Sequence, residues 1–248
     1  MPIVPRNTSE PTGTSKKVAG ANRDFNRRLN ILFKDMKELV IDLDPKRTQV
    51  NHKFIVMKQL NLNKAWYLTD NGEYQGIKKR EIRINEFVYD YDLNPDDLSR
   101  LNQIISEMVD RLFMTDRNGN TVRADNGRQL WFMRGYVEPA YQQGYAQSYT
   151  NMASQSAIYA SSAVSPSELL FSQPYQRRIG LLAAKEFSVL TDFSEKMKYD
   201  LKLILGDAIA IGKSPRDVID EISSRVGVAK SRAKRLSQSE ITNALRSA

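Results

Sequence analysis

The chain holds few side chains that could carry out covalent chemistry. It has no cysteine and a single histidine, His52. Without cysteine there is no disulfide, no thiolate zinc site and no cysteine nucleophile. A serine–histidine–aspartate triad would need His52, which lies in NHKFIV at the start of a predicted strand and which we interpret as an ordinary surface or half-buried histidine. We therefore expect no catalytic residue, no metal and no cofactor, so that the chain is not an enzyme.

Three stretches resemble known ligand-binding motifs but depart from them. Residues 206–214 read GDAIAIGKS, which has five residues between the first glycine and the Gly-Lys pair where a nucleotide-binding P-loop has four, and no predicted strand before it. Asp116, Asn118 and Asn120 have calcium-loop spacing, yet the loop glycine and the final glutamate are missing. Acidic pairs such as Asp96 and Asp97 are interpreted as helix-cap or surface residues, because nothing places them in a pocket.

Basic residues concentrate at the two ends of a chain whose formal net charge is +8. Such ends suit a polyanion, an acidic protein surface or simply a solvated face. The basic residues that we single out are Arg6, Lys16 and Lys17 near the start, and Lys230, Arg232, Lys234 and Arg235 near the end.

The first half of the chain predicts an arm, two helices and a small sheet between them. Residues 1–20 are rich in proline, glycine, serine and threonine and predict a flexible extended arm. Apolar residues at helical spacing predict helices over residues 22–43 and from Pro95 to about residue 114. Between them, β-branched and aromatic runs over residues 52–92, with Asp-Asn-Gly at 70–72, predict an antiparallel sheet of two to four strands. A polar loop, or a tight hairpin, is expected over residues 115–127.

The second half is predicted to be helical. We expect a helix over residues 128–153 with a kink at Pro139, then a short helix and linker over residues 154–174. A long helix follows over residues 176–211, with a buried stripe that runs to Ile211 and a break near residues 191–192 left open. Gly212 ends it, and Ser214 caps the next helix, which Gly227 is expected to break before a last helix over residues 228–246.

Tyr141, Tyr145 and Tyr149 follow one another at four-residue steps and share one helix face. Two interpretations stay open. The rings pack against another helix, or they form an exposed ridge that binds a protein partner.

Together these patterns predict a mainly α protein, an elongated helical bundle with a small antiparallel sheet inserted in its N-terminal half. We expect three regions: the arm at 1–20, an α+β region at 21–127 and a helical domain at 128–248. No run is apolar enough for a membrane helix.

From about residue 130 onward, the chain resembles the phage Mu F-like minor head (head-morphogenesis) family. Three segments carry the resemblance: RGYVEPAYQQGYAQSYTNMA, LKLILGDAIAIGKSPRDVIDEISSRVG with its helix–glycine–cap–helix unit, and SRAKRLSQSEITNALRSA. In the last segment Glu240 matches the family's Ala-Arg-Thr-Glu pattern, while the arginine and threonine before it are absent. Many relatives continue into a further domain with a histidine-containing motif, which this sequence does not include.

The resemblance implies a minor capsid protein, present in a few copies per virion, that binds the portal inside the capsid and assists head assembly and DNA packaging or exit. It implies a location in the virion near the portal, and in the host cytoplasm during assembly. Expected partners are the portal protein, the major capsid or scaffold protein, and packaged double-stranded DNA. Portal or capsid contact falls to Tyr141, Tyr145, Tyr149, Arg6, Lys16 and Lys17, and DNA contact to Lys230, Arg232, Lys234 and Arg235. The alternative function is a DNA-binding or ejection protein delivered with the genome.

Overall fold

The computed structural model describes residues 14–59, 77–162 and 166–248. The fold is mainly α with one two-stranded antiparallel sheet, as the sequence predicts. The elements in chain order are α1 (Thr14–Asp42), β1 (Lys46–Gln59), β2 (Ile77–Asp90), α2 (Pro95–Phe113), α3 (Glu138–Gln155), α4 (Ala157–Ser162), α5 (Pro166–Phe171), α6 (Gln173–Ile211) and α7 (Pro215–Arg246). We call residues 14–42, 95–162 and 166–248 the helical body, and β1 with β2 the ribbon.

Helix α1 begins earlier than the sequence predicts. It starts at Thr14, so the last seven residues assigned to the extended arm are helical, while residues 1–13 lie outside the described residues. The early start follows from packing, because Ala21 and Val18 continue the apolar stripe toward the N-terminus and lie in or against the core. The predicted stripe itself is confirmed, with Phe25, Leu29 and Leu32 buried along one face.

The core centres on aromatic rings contributed by four parts of the chain. Phe25 lies 4.8 Å from Trp131, 5.4 Å from Phe132 and 5.7 Å from Phe193, measured between ring centroids. Phe113 lies 5.2 Å from Phe193, and its carbonyl accepts a 3.2 Å hydrogen bond from the indole N–H of Trp131. Edge-to-face contacts of this kind add to the free energy gained by burying the rings, so these residues hold α1, α2 and α6 together.

The ribbon is the predicted sheet insertion. Its strands pair in one continuous register from Lys46 opposite Asp90 to Gln59 opposite Ile77. The Asp-Asn-Gly signal and the other predicted strand segment, residues 64–69, lie outside the described residues.

The two turns that flank α2 agree with their sequence signals. Asn94 accepts a 2.9 Å hydrogen bond from the backbone N–H of Asp97, whose carboxylate accepts from the Asn94 N–H in return. This capping box fixes the start of the helix next to Pro95. After α2, Thr115 pairs with Thr121 across a tight polar turn, which is the hairpin alternative for the 115–127 loop.

A π-helical turn, Met133–Val137, lies immediately before α3 and Pro139, where the sequence predicts a kink. In that turn the N–H of Glu138 donates to the carbonyl of Met133. Because proline has no N–H to donate, its place in the first turn of α3 leaves no bond broken, so the chain continues as a helix.

Helices α6 and α7 form an antiparallel pair longer and more regular than predicted. Helix α6 runs unbroken through residues 191–192 and ends at Gly212, which adopts a left-handed φ of 74°. Helix α7 starts at Pro215, capped by Ser214, and continues through Gly227, where a break was expected. A helical glycine costs only about 1 kcal/mol, less than the neighbouring Val226 and Ala229 gain by staying buried. Within the described residues, no helix is long and apolar enough to cross a membrane.

Candidate functional site

The outer face of α6 near its C-terminal end carries apolar residues that no described element covers. Tyr199, Leu203, Gly206 and Ala210 recur at helical spacing on the side of α6 opposite the buried Leu201, Ile204 and Ala208, and all four are exposed. Tyr199 is 60% and Leu203 43% exposed. We call these four residues the outer stripe. A helix with apolar residues on both faces is typical of a helix buried on both sides, so the outer stripe is a candidate docking surface.

One prediction for the C-terminal end of α6 is wrong. Ile211 was expected on the buried stripe but is 66% exposed. It lies seven residues after the buried Ile204 and so on the same helix face, but it is the last residue of α6, next to Gly212.

The tyrosines of α3 face inward, so the ridge prediction is wrong for Tyr141. That residue is 1% exposed, and its ring lies 5.6 Å from Tyr175 of α6 and 6.3 Å from Tyr145. Tyr145 and Tyr149 are half-buried, and Tyr149 packs 5.7 Å from Tyr159 of α4. The packing interpretation therefore holds for this face, because each ring meets another aromatic ring of the same chain.

The basic residues of α7 differ in how exposed they are. Lys234 and Arg235 are exposed, while Lys230 is half-buried. Arg232 is half-buried too, and its guanidinium lies 5.7 Å from the centroid of the Phe193 ring. A guanidinium engaged with a ring in this way belongs to the α6–α7 interface as much as to the surface.

The basic residues of the N-terminal end divide in a similar way. Lys17 donates to the side-chain carbonyl of Gln143 on α3, and partial burial lowers its pKa. Lys16 is exposed on the first turn of α1, and Arg6 lies outside the described residues. Of the two that the structure describes, Lys16 is the one that is exposed to a partner.

A buried carboxylate that the sequence analysis missed lies between α6 and α7. Glu186 is 1% exposed, and both of its side-chain oxygens lack a hydrogen-bond partner in the described part of the chain. Its Oε1 lies 3.9 Å from Lys185 Nζ, and that ammonium instead donates to Glu240 of α7. Ser237, one turn before Glu240, is fully buried.

Burial, and next the negative charge of Glu240, raise the pKa of Glu186 to about 8. A carboxyl group shifted this far holds a proton at neutral pH, since the charged form would be buried without an adequate counter-charge. The α6–α7 interface therefore contains one neutral acid and one ion pair, Lys185 with Glu240.

The helical spacing of the residues around Glu186 is a sequence signal that could have revealed it, and the α6–α7 contacts agree with that spacing. Lys185, Phe193 and Asp200 on α6 meet Glu240, Arg232 and Arg225 on α7, in steps of eight and then seven residues on both helices. This coiled-coil-like spacing makes the position of Glu186 a core position, since it also lies three residues after Ala183 and four before Leu190. A glutamate at a position that the helical spacing assigns to the core is rare, so it can be recognised in the sequence.

The other motif-like stretches have structural roles. Residues 206–211 belong to α6 and cannot form a phosphate-binding loop. Asp116 accepts hydrogen bonds from the side-chain amide of Asn120 and from the backbone N–H groups of Asn120 and Asn118, which lower its pKa in that order and close a polar turn. Among the described residues, no three acidic or histidine side chains come together as a metal ion would require.

The fold defines the class: a mainly α protein with an antiparallel helical body and a two-stranded ribbon inserted between its first two helices. Comparisons with family models, curated proteins and solved structures found no match.

Proposed function

We propose that the chain is a phage minor head protein that binds the portal inside the capsid and assists head assembly and DNA packaging or exit. It works in the virion near the portal, in a few copies, after assembly in the host cytoplasm. It makes or breaks no covalent bond and needs no cofactor. The major capsid or scaffold protein is a further partner of the same assembly.

The observation that carries this proposal is the outer stripe. Two sizeable apolar side chains, Tyr199 and Leu203, are followed by Gly206, where an added Cβ would meet nothing within 4 Å beyond its chain neighbours and the adjoining helix backbone. A glycine and an alanine next to exposed apolar side chains let another helix approach closely, and a protein partner would remove the stripe from water.

Two further features support a docking protein over an enzyme. The segments that resemble the minor head family include the helix–glycine–cap–helix unit, which here is the corner from α6 through Gly212 and Ser214 to α7. The buried acid Glu186 lies between two helices, beside the ion pair formed by Lys185 and Glu240, and at 1% exposure its carboxyl group is closed off from a substrate in solution.

Portal capture tests the proposal. The chain is co-expressed with the portal protein of the same virus, and the complex is purified through a tag on the portal. We expect the portal to capture the unaltered chain and to capture at least tenfold less of the Leu203→Glu variant. The reason is that a carboxylate in the outer stripe would be buried in the complex.

The matched control is Val228→Glu, a substitution at an apolar residue of α7 that is 58% exposed and outside the stripe. Both exposed substitutions are expected to change the free energy of unfolding by less than about 0.5 kcal/mol. Equal capture of all three chains would remove the outer stripe as the docking surface, and no capture of the unaltered chain would remove portal binding itself.

A further inference from the structure

The ribbon carries most of the net positive charge of the chain. Strand β1 has four basic residues and no acidic one, and β2 has four basic and three acidic residues. These 28 residues therefore contribute +5 of the formal net charge of +8, and the other 220 residues contribute +3.

Within the ribbon, the charge lies entirely in the half farther from the helical body. We define the distal half as residues 53–59 and 77–83, which pair with each other in the register. It contains six basic residues against Glu81, whereas the remaining residues of the two strands, 46–52 and 84–90, are balanced. The six basic residues are Lys53, Lys58, Lys78, Lys79, Arg80 and Arg83. Residues 60–76, between the strands, contain Lys64 against Asp70 and Glu73.

The ribbon is attached to the body at its base. The N–H of Tyr89 donates a 3.0 Å hydrogen bond to the carbonyl of Gly212, and the hydroxyl of Tyr91 donates a 2.8 Å bond to the carbonyl of Lys213. At about 3.3 Å per residue the fourteen-residue strands extend roughly 46 Å, and the distal half begins roughly 23 Å from the base.

The register places like charges opposite each other. Lys58 pairs with Lys78, and Lys53 pairs with Arg83. Like charges in directly opposed positions destabilise a sheet, and a two-stranded sheet alone is only marginally stable in water. A bound polyanion would convert both repulsions into attractions, so the ribbon sequence favours a partner that carries closely spaced negative charge.

We propose that the distal half of the ribbon binds the phosphate backbone of double-stranded DNA, with the ribbon lying in a groove. By the two-residue period of a strand, Lys58, Lys78 and Arg80 occupy positions of one face, and Lys53, Lys79 and Arg83 occupy those of the other. An acidic protein surface would neutralise one face of the ribbon. The major groove of DNA is about 12 Å wide, admits a two-stranded ribbon and has phosphates along both walls, so it neutralises both faces. This inference stands apart from portal binding and from the basic residues of α7.

The test measures the affinity of the full chain for a duplex of about 30 base pairs by fluorescence anisotropy at several salt concentrations. One variant, Lys58→Gln/Lys78→Gln/Arg80→Gln, removes three charges from the distal half. The matched variant, Lys230→Gln/Lys234→Gln/Arg235→Gln, removes three charges from α7. Because both lower the net charge equally, a difference between them reports where DNA binds.

We expect the ribbon variant to bind at least tenfold more weakly and to lose about 2.7 from the slope of log affinity against log salt concentration, at about 0.9 per phosphate contact. For the α7 variant, the same slope should fall by less than 1. Circular dichroism should show unchanged helix content for both, because neither set of residues lies in the aromatic core.

Three results would overturn the proposal. They are equal weakening by the two variants, no binding of the duplex by the unaltered chain, and displacement of the duplex by polyglutamate at equal charge concentration. The last result would assign the ribbon to an acidic protein surface. Failure of portal capture would leave the proposal intact, since the two tests use different partners and different residues.

Discussion

The helical body and the ribbon are stabilised in different ways, although they belong to one chain. The body has an aromatic core in which Phe25 contacts four other rings, and its helices bury one face each. The ribbon depends on its own backbone pairing and on the contacts at its base with Gly212 and Lys213. The body carries little net charge per residue, and the ribbon carries much. We infer that the helical body provides the surface that contacts a protein partner. The ribbon carries positive charge away from the body.

The largest effect is expected at the centre of the body. Phe25→Ala should lower the free energy of unfolding by about 3–5 kcal/mol, because it removes a fully buried ring and leaves a cavity among the others. Urea denaturation followed by circular dichroism measures it. Ile31→Ala on the same helix, at a side chain that is 41% exposed, should change stability by less than about 1 kcal/mol. Similar losses for both variants would contradict the assignment of the core.

The next largest effect depends on pH and concerns the α6–α7 interface. The folded pKa of Glu186 is about 8, above the ordinary value of 4.5, so the folded chain binds a proton between these pH values that the unfolded chain has lost. Stability should therefore fall as pH rises from about 4.5 to about 8, at up to about 1.4 kcal/mol per pH unit.

Glu186→Gln should remove this slope and be more stable than the unaltered chain above pH 8, by a few kcal/mol. The measurement is the thermal midpoint at pH 5, 7 and 9. Glu38→Gln, at a side chain that is 61% exposed on α1, should keep the slope. A flat profile in the unaltered chain would show that Glu186 is charged in the fold.

A smaller effect is expected where the ribbon meets the body. Gly212→Ala should cost about 1–3 kcal/mol, because an L residue is strained at a φ of 74° and its Cβ would collide with Val88 of β2. The matched control is Gly227→Ala in the middle of α7, where the added Cβ would meet nothing within 4 Å beyond its chain neighbours and the adjoining helix backbone. That variant should gain about 0.5–1 kcal/mol if α7 is continuous, and thermal denaturation distinguishes the two signs.

The smallest effect concerns the start of α7. Ser214 accepts a 3.1 Å hydrogen bond from the N–H of Asp217, so Ser214→Ala should cost about 1 kcal/mol. Ser231→Ala, an exposed position within the helix, should cost nothing or stabilise slightly. If Ser231→Ala lowers the free energy of unfolding as much as Ser214→Ala does, the Ser214 cap does not specifically stabilise the turn between α6 and α7.

Features that depend on local chemistry were predictable from the sequence. Helix ends are set by contacts within a few residues, as at the capping residues Asn94 and Ser214 and at the left-handed Gly212. A short stretch of sequence is therefore enough to predict them. The buried face of α1 follows equally from the spacing of Phe25 and Leu29.

Features that depend on partners elsewhere in the chain were not predictable. Gly227 weakens an isolated helix by about 1 kcal/mol, but in the fold α7 is held by its packing on α1, α3 and α6. For Tyr141 the sequence left both packing and a partner surface open, because Tyr175, which covers it, lies 34 positions further along. The outer stripe was not predicted for the same reason, because the sequence alone does not show which face of α6 other helices leave uncovered.

The division of roles between body and ribbon is tested most directly by portal capture with a shortened ribbon. Replacing residues 52–84 by Asn-Gly joins the paired positions Asn51 and Asn85 through a two-residue turn and removes the distal half while keeping the base. We predict that this chain is captured by the portal as efficiently as the unaltered chain, while Leu203→Glu is not. Loss of capture by the shortened chain together with full capture of Leu203→Glu would contradict the account.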